Sequence, residues 1–426
     1  LRIGDAPTFA GQQLFGDRGL EYVGDPLRRI GVWDRKRGTV LGIAYRNRYG
    51  ATIRGHLWAP FLPFVDPVTG AATSGPLPAV LLVNGFNSTT LLYRAFAQGL
   101  AESGYLVMQF DPQGVGASDK DPNPPSDYCD PYDPGETWKE PQEMGFAEKG
   151  SCAGVGNPPP EDLSVILTAK QGEVVDLTEP QFEAGANYAF GALDAVSWLL
   201  SSENPWRYLV DETRIGIAGH SIGGFIALMV GNGDPFGRFR AAVSWDTYGR
   251  LTSGVMPTVP TLLQQSEQEH LVGPHATPPD PEGLHPTRVT YADLQESCLP
   301  AGFVVLRSST HNEWAYLGPE DLPTGAASRK GERVGLYFTL AWLDRYLKGA
   351  ATAFVRGDEP AQASSAIERL TATSFDGSAD RSSIGTGSFD PTTGQNVPYT
   401  IAGEEVSDHL SFLYGSSLAL DPCPGP

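Results

Sequence analysis

Hydrophobic and polar positions change period several times along the chain. Residues 51–60, Ala51-Thr52-Ile53-Arg54-Gly55-His56-Leu57-Trp58-Ala59-Pro60, alternate and stop at proline, the pattern of a half-buried strand. Residues 79–83 are continuously apolar, Ala79-Val80-Leu81-Leu82-Val83, and end in Asn84-Gly85, as a strand covered on both faces of a parallel sheet would. Helical spacing over 91–103 follows, stopped by Gly104, and residues 105–110 predict the next strand. Strand, helix and strand in that order make a βαβ unit. The alternation resumes with a helix over 181–200 and buried strands over 214–218, 241–245, 260–264 and 303–306. A last amphipathic helix over 332–348 carries Val334, Leu336, Phe338, Ala341, Trp342 and Tyr346 on its apolar stripe and stops at Gly349. The pattern predicts an α/β fold with a mainly parallel sheet flanked by helices.

Around this body the pattern weakens. Residues 1–45 carry turn residues and a basic stretch, and read as an N-terminal extension lying on an α/β body that spans 46–350. Between about 119 and 160 the rhythm breaks into Pro, Asp, Gly and two Cys, a loop-rich insertion of the kind that serves as a lid or wall over one end of a sheet. Residues 351–426, rich in Ser, Thr, Gly and Asp, read as a small C-terminal β element packed on the core.

Composition narrows the possibilities. With 40% hydrophobic residues in 426, the chain can bury a substantial core, which excludes wholesale disorder. No apolar run approaches the ~18–20 residues of a membrane span. Fifty acidic against 30 basic residues give a net charge of −20, with no basic patch, so nucleic acid is excluded as a partner. The four Cys show neither C-x-x-C nor Cys/His ligand spacing, so two disulfides are expected, with Cys129–Cys152 and Cys298–Cys423 as candidate pairings. Disulfides and an opening at Leu1 that looks processed point to secretion, and a monomer is expected. The Asp-rich stretches 127–133 and 376–380 lack EF-hand spacing; Ca²⁺ is the one ion they bring to mind, and the expectation is no metal and no other cofactor.

The strongest chemical signal is Gly219-His220-Ser221-Ile222-Gly223-Gly224, between the strand over 214–218 and the apolar helical stretch from Phe225. G-x-S-x-G in that context is a nucleophile elbow: glycines clear space around a sharp turn, and the Ser hydroxyl stands exposed at a helix N-terminus. A serine hydroxyl needs a base, and the base an orienting carboxylate. Of the seven His, His311 follows the strand over 303–306 and falls at the sheet edge where the elbow lies, whereas His220 is expected to pack beside the elbow. Glu269, after the strand over 260–264, is the favoured acid, with Asp246 and Glu267 as alternatives. A second oxyanion donor besides the Ile222 amide is expected from the loop Asn84-Gly85-Phe86-Asn87, at the Phe86 amide.

These residues resemble the α/β-hydrolase superfamily of serine esterases, and within it the dienelactone-hydrolase and cutinase-like polyester hydrolase branch. The resemblance covers roughly residues 50–350 and runs through Val83-Asn84-Gly85-Phe86, Asp111-Pro112-Gln113-Gly114, the segment from Val259 to Glu269, and Trp342-Leu343-Asp344-Arg345-Tyr346-Leu347-Lys348-Gly349. It implies an α/β-hydrolase fold with Ser221 as nucleophile, Glu269 as acid, His311 as base, Phe86 and Ile222 as oxyanion donors, and Trp245 as an aromatic wall beside the ester. The expectation is a secreted carboxylic-ester hydrolase working through an acyl-enzyme on small or polymeric esters. A serine peptidase or amidase of the same fold and a catalytically silent binding protein are the alternatives.

Overall fold

The computed structural model describes residues 38–48, 50–65, 72–86, 88–119, 187–247, 256–269, 273–274, 286–315 and 330–349, together with short strand pieces at 12–15, 389–390, 395–396, 399–401, 404–406 and 417–419. The main sheet is built from β1 (Gln12–Phe15), β2 (Gly38–Arg46), β3 (Thr52–Pro60), β4 (Leu77–Val83), β5 (Leu106–Phe110), β6 (Val210–His220), β7 (Phe239–Trp245), β8 (Thr261–Glu269), β9 (Ala301–Thr310) and β10 (Ser417–Ala419). Their spatial order is β1-β2-β3-β5-β4-β6-β7-β8-β9-β10. From β5 through β9 every pairing is parallel, while β1, β2 and β3 at one edge and β10 at the other are antiparallel. Helices α1 (Arg94–Glu102), α2 (Asn187–Leu199), α3 (Ile222–Gly233), α4 (Pro286–Glu296) and α5 (Lys330–Leu343) cover the two faces.

The apolar strands explain the layers. In β4 all seven residues are buried, and they divide by parity: Leu77, Ala79, Leu81 and Val83 face the core beneath α2, α3 and α4, while Val80 and Leu82 face the core beneath α1 and α5. A strand with no solvent face needs no polar alternation, which is why its sequence is an unbroken apolar run. Likewise α3 is buried from Gly223 to Asn232, so its sequence lacks a polar stripe.

Chain order reverses between β4 and β6: β5 returns to the β3 side of β4, and β6 sets out on the other. The carboxyl ends of these two strands lie at this switch point, the place where open α/β sheets bind ligands. The loop after β4 and the turn after β6 both open there.

Several boundaries differ from the sequence pattern. The N-terminal extension contributes β1 and β2 to the sheet, with Gly38–Arg46 paired residue for residue against β3. Its pattern is weak because alternating Thr39, Leu41, Ile43 and Tyr45 mix with small residues and face a largely buried strand. The tail likewise supplies the edge strand β10, in register with Ala301 to Phe303. Helix α4 is not among the elements the sequence pattern predicts; Pro286 at its first position is compatible with a helix start, and Tyr291 and Leu294 bury against the sheet. The last helix runs as α5 and ends in a π-helical turn, Asp344–Lys348, before Gly349. The proposed insertion beyond Asp119 lies outside the described residues, as do Cys129, Cys152 and Cys423. Cys298 is disulfide-bonded. No described helix is long and apolar enough to cross a membrane.

Candidate active site

Ser221 sits between the last residue of β6 and the first of α3, with φ 57° and ψ −124°. Non-glycine residues rarely hold that conformation, and it persists only where the surroundings enforce it. Here the Ser221 amide donates to the carbonyl of Trp245 at 2.9 Å, and its own carbonyl accepts from the Phe225 amide at 3.0 Å. Two glycines make the turn possible by close approach. A Cβ at Gly219 would press into the Gly223 carbonyl, and one at Gly223 into the carbonyls of Val83 and Asn84 at the end of β4. The elbow is thus wedged against the loop that follows β4. Ile222 is the first residue of α3, so no carbonyl within the helix can accept its N–H.

His311 opens a single 3₁₀ turn, His311–Trp314, after β9. Its Nδ1 lies 2.8 Å from Oδ2 of Asp246, and both groups are buried. Asp246 is the residue after β7 and adopts φ 47°, a left-handed conformation that Asp tolerates better than most side chains. Ser266 on β8 grips the same carboxylate. Its amide donates to Oδ1 at 2.6 Å, and its hydroxyl lies 2.9 Å from Oδ1 and 2.7 Å from Oδ2. Burial alone would raise the Asp246 carboxyl, but the hydrogen bonds from His311 and Ser266 outweigh it and hold the group below its ordinary value. An ionised Asp246 can only accept, so Nδ1 of His311 carries the proton of this bond.

Of the candidate carboxylates, the structure places Asp246, the alternative to Glu269, against His311. A neutral imidazole has one Nδ1–H, and Asp246 takes it. The sequence pattern ends the strand at Gln264 and puts Glu269 in a loop. Instead β8 runs on to Glu269, which pairs with Gly273 in a hairpin, and the Glu267 and Glu269 side chains lie outside the described residues. The signal that would have favoured Asp246 was an Asp directly after an apolar strand, where a left-handed turn residue is expected.

Trp245 is also placed elsewhere than expected. Its ring is fully buried under the sheet, tilted against Phe96 with ring centroids 4.5 Å apart, and its indole N–H donates to Thr339 Oγ1 at 3.0 Å. It packs in the helix layer; its contribution to the site is the backbone carbonyl that holds Ser221.

The loop after β4 abuts the elbow. Gly85 lies so close to the Tyr93 and His220 side chains that a Cβ there would meet the Tyr93 hydroxyl at 2.7 Å and His220 Nδ1 at 3.2 Å. Phe86 is half-buried, and its carbonyl accepts from the Ser88 hydroxyl at 3.1 Å. Behind it, the Asp111 carboxylate ties the loop down by accepting from Asn84 Nδ2 at 3.1 Å and from the Thr90 amide at 2.8 Å. Burial pushes that carboxyl up to about 6.

His220 and His311 touch, with ring centroids 4.6 Å apart. His311 is thereby held against the residue that adjoins Ser221. The sequence pattern missed Ser266, Tyr93 and Tyr188, because nothing in their spacing links them to the elbow. A hydroxyl at a strained elbow, an imidazole with its Nδ1–H on a buried carboxylate, and amides at the start of α3 and in the loop after β4 can together support nucleophilic acyl transfer. No protein-family model matches the chain, and no curated protein matches it. Among the described residues no group of His, Cys, Asp and Glu is arranged to hold a metal ion.

Proposed function

We propose that the protein is a serine carboxylic-ester hydrolase of the α/β-hydrolase fold. The observation that carries this reading is the strained Ser221 at the strand-to-helix turn, whose neighbour His220 packs against a His311 whose Nδ1 is held by Asp246. The sheet order supports the fold: an antiparallel strand, β3, precedes a parallel run β5-β4-β6-β7-β8-β9, with the elbow following β6.

In this reading His311 Nε2 takes the proton of Ser221 as its Oγ attacks the ester carbonyl. Asp246 holds the imidazole in the productive tautomer and stabilises its charged form. The amides of Ile222 and Phe86 receive the developing oxyanion, aided by the positive end of α3. The alcohol leaves with the proton from His311, and water, deprotonated by the same imidazole, releases the acid and regenerates Ser221. The reaction needs no metal or organic cofactor. The disulfide at Cys298 fits an oxidising, extracellular setting.

The test is hydrolysis of p-nitrophenyl acyl esters of increasing chain length, with a solid polyester included, together with covalent labelling by a fluorophosphonate. Ser221→Ala is expected to abolish turnover and labelling. Full activity in that variant overturns the assignment of the nucleophile, and anilide turnover equal to that of matched esters would favour a peptidase.

A further inference from the structure

The elbow residue His220 is buried, and the acyl-transfer scheme gives it no role. Its two ring nitrogens are both engaged: Nδ1 lies 2.9 Å from the Tyr93 hydroxyl, and Nε2 lies 2.7 Å from the backbone carbonyl of His311. The directions of these bonds follow from one donor. The Gly85 N–H, 3.0 Å from Tyr93 Oη, can only donate, so the phenol accepts there and its own O–H is free to donate to His220 Nδ1. Burial pushes the Tyr93 hydroxyl up to about 12, so it keeps that proton. Nδ1 is then an acceptor, and the single proton of the neutral ring sits on Nε2, donated to the His311 carbonyl. A carbonyl can accept only, so the tautomer is fixed from both ends. Burial, reinforced by the nearby His311, drops His220 to about 3 and keeps it uncharged.

The chain of bonds therefore runs Gly85 N–H, Tyr93 O–H, His220, His311 C=O. At one end is the loop expected to hold the oxyanion; at the other is the residue expected to act as base. The Gly85 carbonyl is held as well, by the Tyr188 hydroxyl at 3.3 Å. Trp314, from the same turn as His311, stacks on the His220 ring at 6.3 Å and leaves the imidazole little room to rotate.

We infer that His220 is a positioning residue for acyl transfer: as a neutral imidazole bridging Tyr93 and the His311 carbonyl, it fixes the distance between the base and the oxyanion loop. Acyl transfer needs charge to develop in two places at once, an imidazolium at His311 and an oxyanion at the amides. Small misplacement of either raises the barrier without weakening ground-state binding. This inference rests on the ester-hydrolase reading of the same site.

The experiment compares His220→Leu, His220→Gln and Tyr93→Phe with the wild-type chain on p-nitrophenyl butyrate, recording kcat, KM and melting temperature. Leu fills the space and donates nothing, whereas a Gln amide can again donate to the His311 carbonyl. Loss of both buried hydrogen bonds of the His220 ring predicts that kcat falls about tenfold or more in His220→Leu with KM little changed. His220→Gln is expected to recover most of that loss, and Tyr93→Phe to fall in between. Wild-type kcat in a folded His220→Leu variant overturns the inference, as does equal impairment of the Leu and Gln variants at unchanged melting temperature. If His220→Leu does not fold, Tyr93→Phe decides, and an unaltered kcat there overturns it. A wild-type chain that neither hydrolyses the ester nor takes up a fluorophosphonate is a different result, since it removes the hydrolase reading itself.

Discussion

Ser266 holds Asp246 from two directions, with its backbone amide at 2.6 Å from one carboxylate oxygen and its hydroxyl within 2.9 Å of both. Asp246 follows β7 and Ser266 lies in the adjacent β8, so the carboxylate that meets His311 is braced by the sheet itself. Ser266→Ala keeps the amide bond and loses the hydroxyl. Hydrogen bonds to charged groups contribute about 1.5–3 kcal/mol, and kcat/KM for ester hydrolysis is expected to fall about tenfold, measured by steady-state kinetics.

The choice between acids has a sharp kinetic signature. Asp246→Asn offers Nδ1 an amide in place of a charge and permits the wrong tautomer, so kcat is expected to drop by about 10³–10⁴. Glu269→Gln is expected to leave kcat within about threefold. The reverse ranking would restore Glu269 as the orienting acid.

Gly223 is required by contact with the end of β4, where the carbonyls of Val83 and Asn84 occupy the space a side chain would need. Those atoms are backbone and cannot swing away. Gly223→Ala is expected to destabilise the fold by about 3 kcal/mol, at the upper end of overpacking effects, read as a lower urea midpoint. A midpoint equal to wild type would show that the elbow is looser than this packing implies.

Acid should weaken the fold before it protonates carboxylates broadly. His56 and His220, ordinarily at 6.5, are lowered by burial to about 4 and about 3. Their contribution is present above 6.5 and is lost as pH falls toward the folded values, because the unfolded chain takes up protons that the folded chain refuses. Asp111, raised by burial from 3.8 to about 6, acts oppositely: its contribution is present below 3.8 and lost as pH rises through 6. Two groups against one leave a net loss of about 1.4 kcal/mol per pH unit on going from pH 6 to pH 5. Urea titrations at successive pH values measure this slope, and His220→Gln should reduce it.

The tail is expected to be stapled to the sheet. Strand β10 runs antiparallel to β9 with Ala419 opposite Ala301, close in sequence to the disulfide-bonded Cys298, and Cys423 lies outside the described residues. Peptide mapping without reduction should recover a Cys298–Cys423 linked pair. Closing a loop of that length stabilises by roughly 4–5 kcal/mol in the chain-entropy view. Recovery of Cys298 linked to Cys129 or Cys152 would refute the pairing.

Much of this protein was legible in the sequence because its signals are local. Apolar runs such as Ala79 to Val83 report burial on both faces, and Gly219-His220-Ser221-Ile222-Gly223 between a strand and a helix reports a turn that few other residues can make. Those patterns determined the α/β class, the position of Ser221 and the strand-end placement of His311. Tertiary structure alone decided which carboxylate meets His311, because Asp246 and Glu269 both stand at carboxyl ends of adjacent parallel strands, and only register and the turn angle at Asp246 distinguish them. It also decided that Trp245 faces the helices, since an apolar strand buried on both sides carries no mark of which face each residue takes. The bridge from Gly85 through Tyr93 and His220 to His311 joins segments more than 200 residues apart at its ends. No periodicity encodes it; it exists because the sheet brings the ends of β4, β6 and β9 to a common edge.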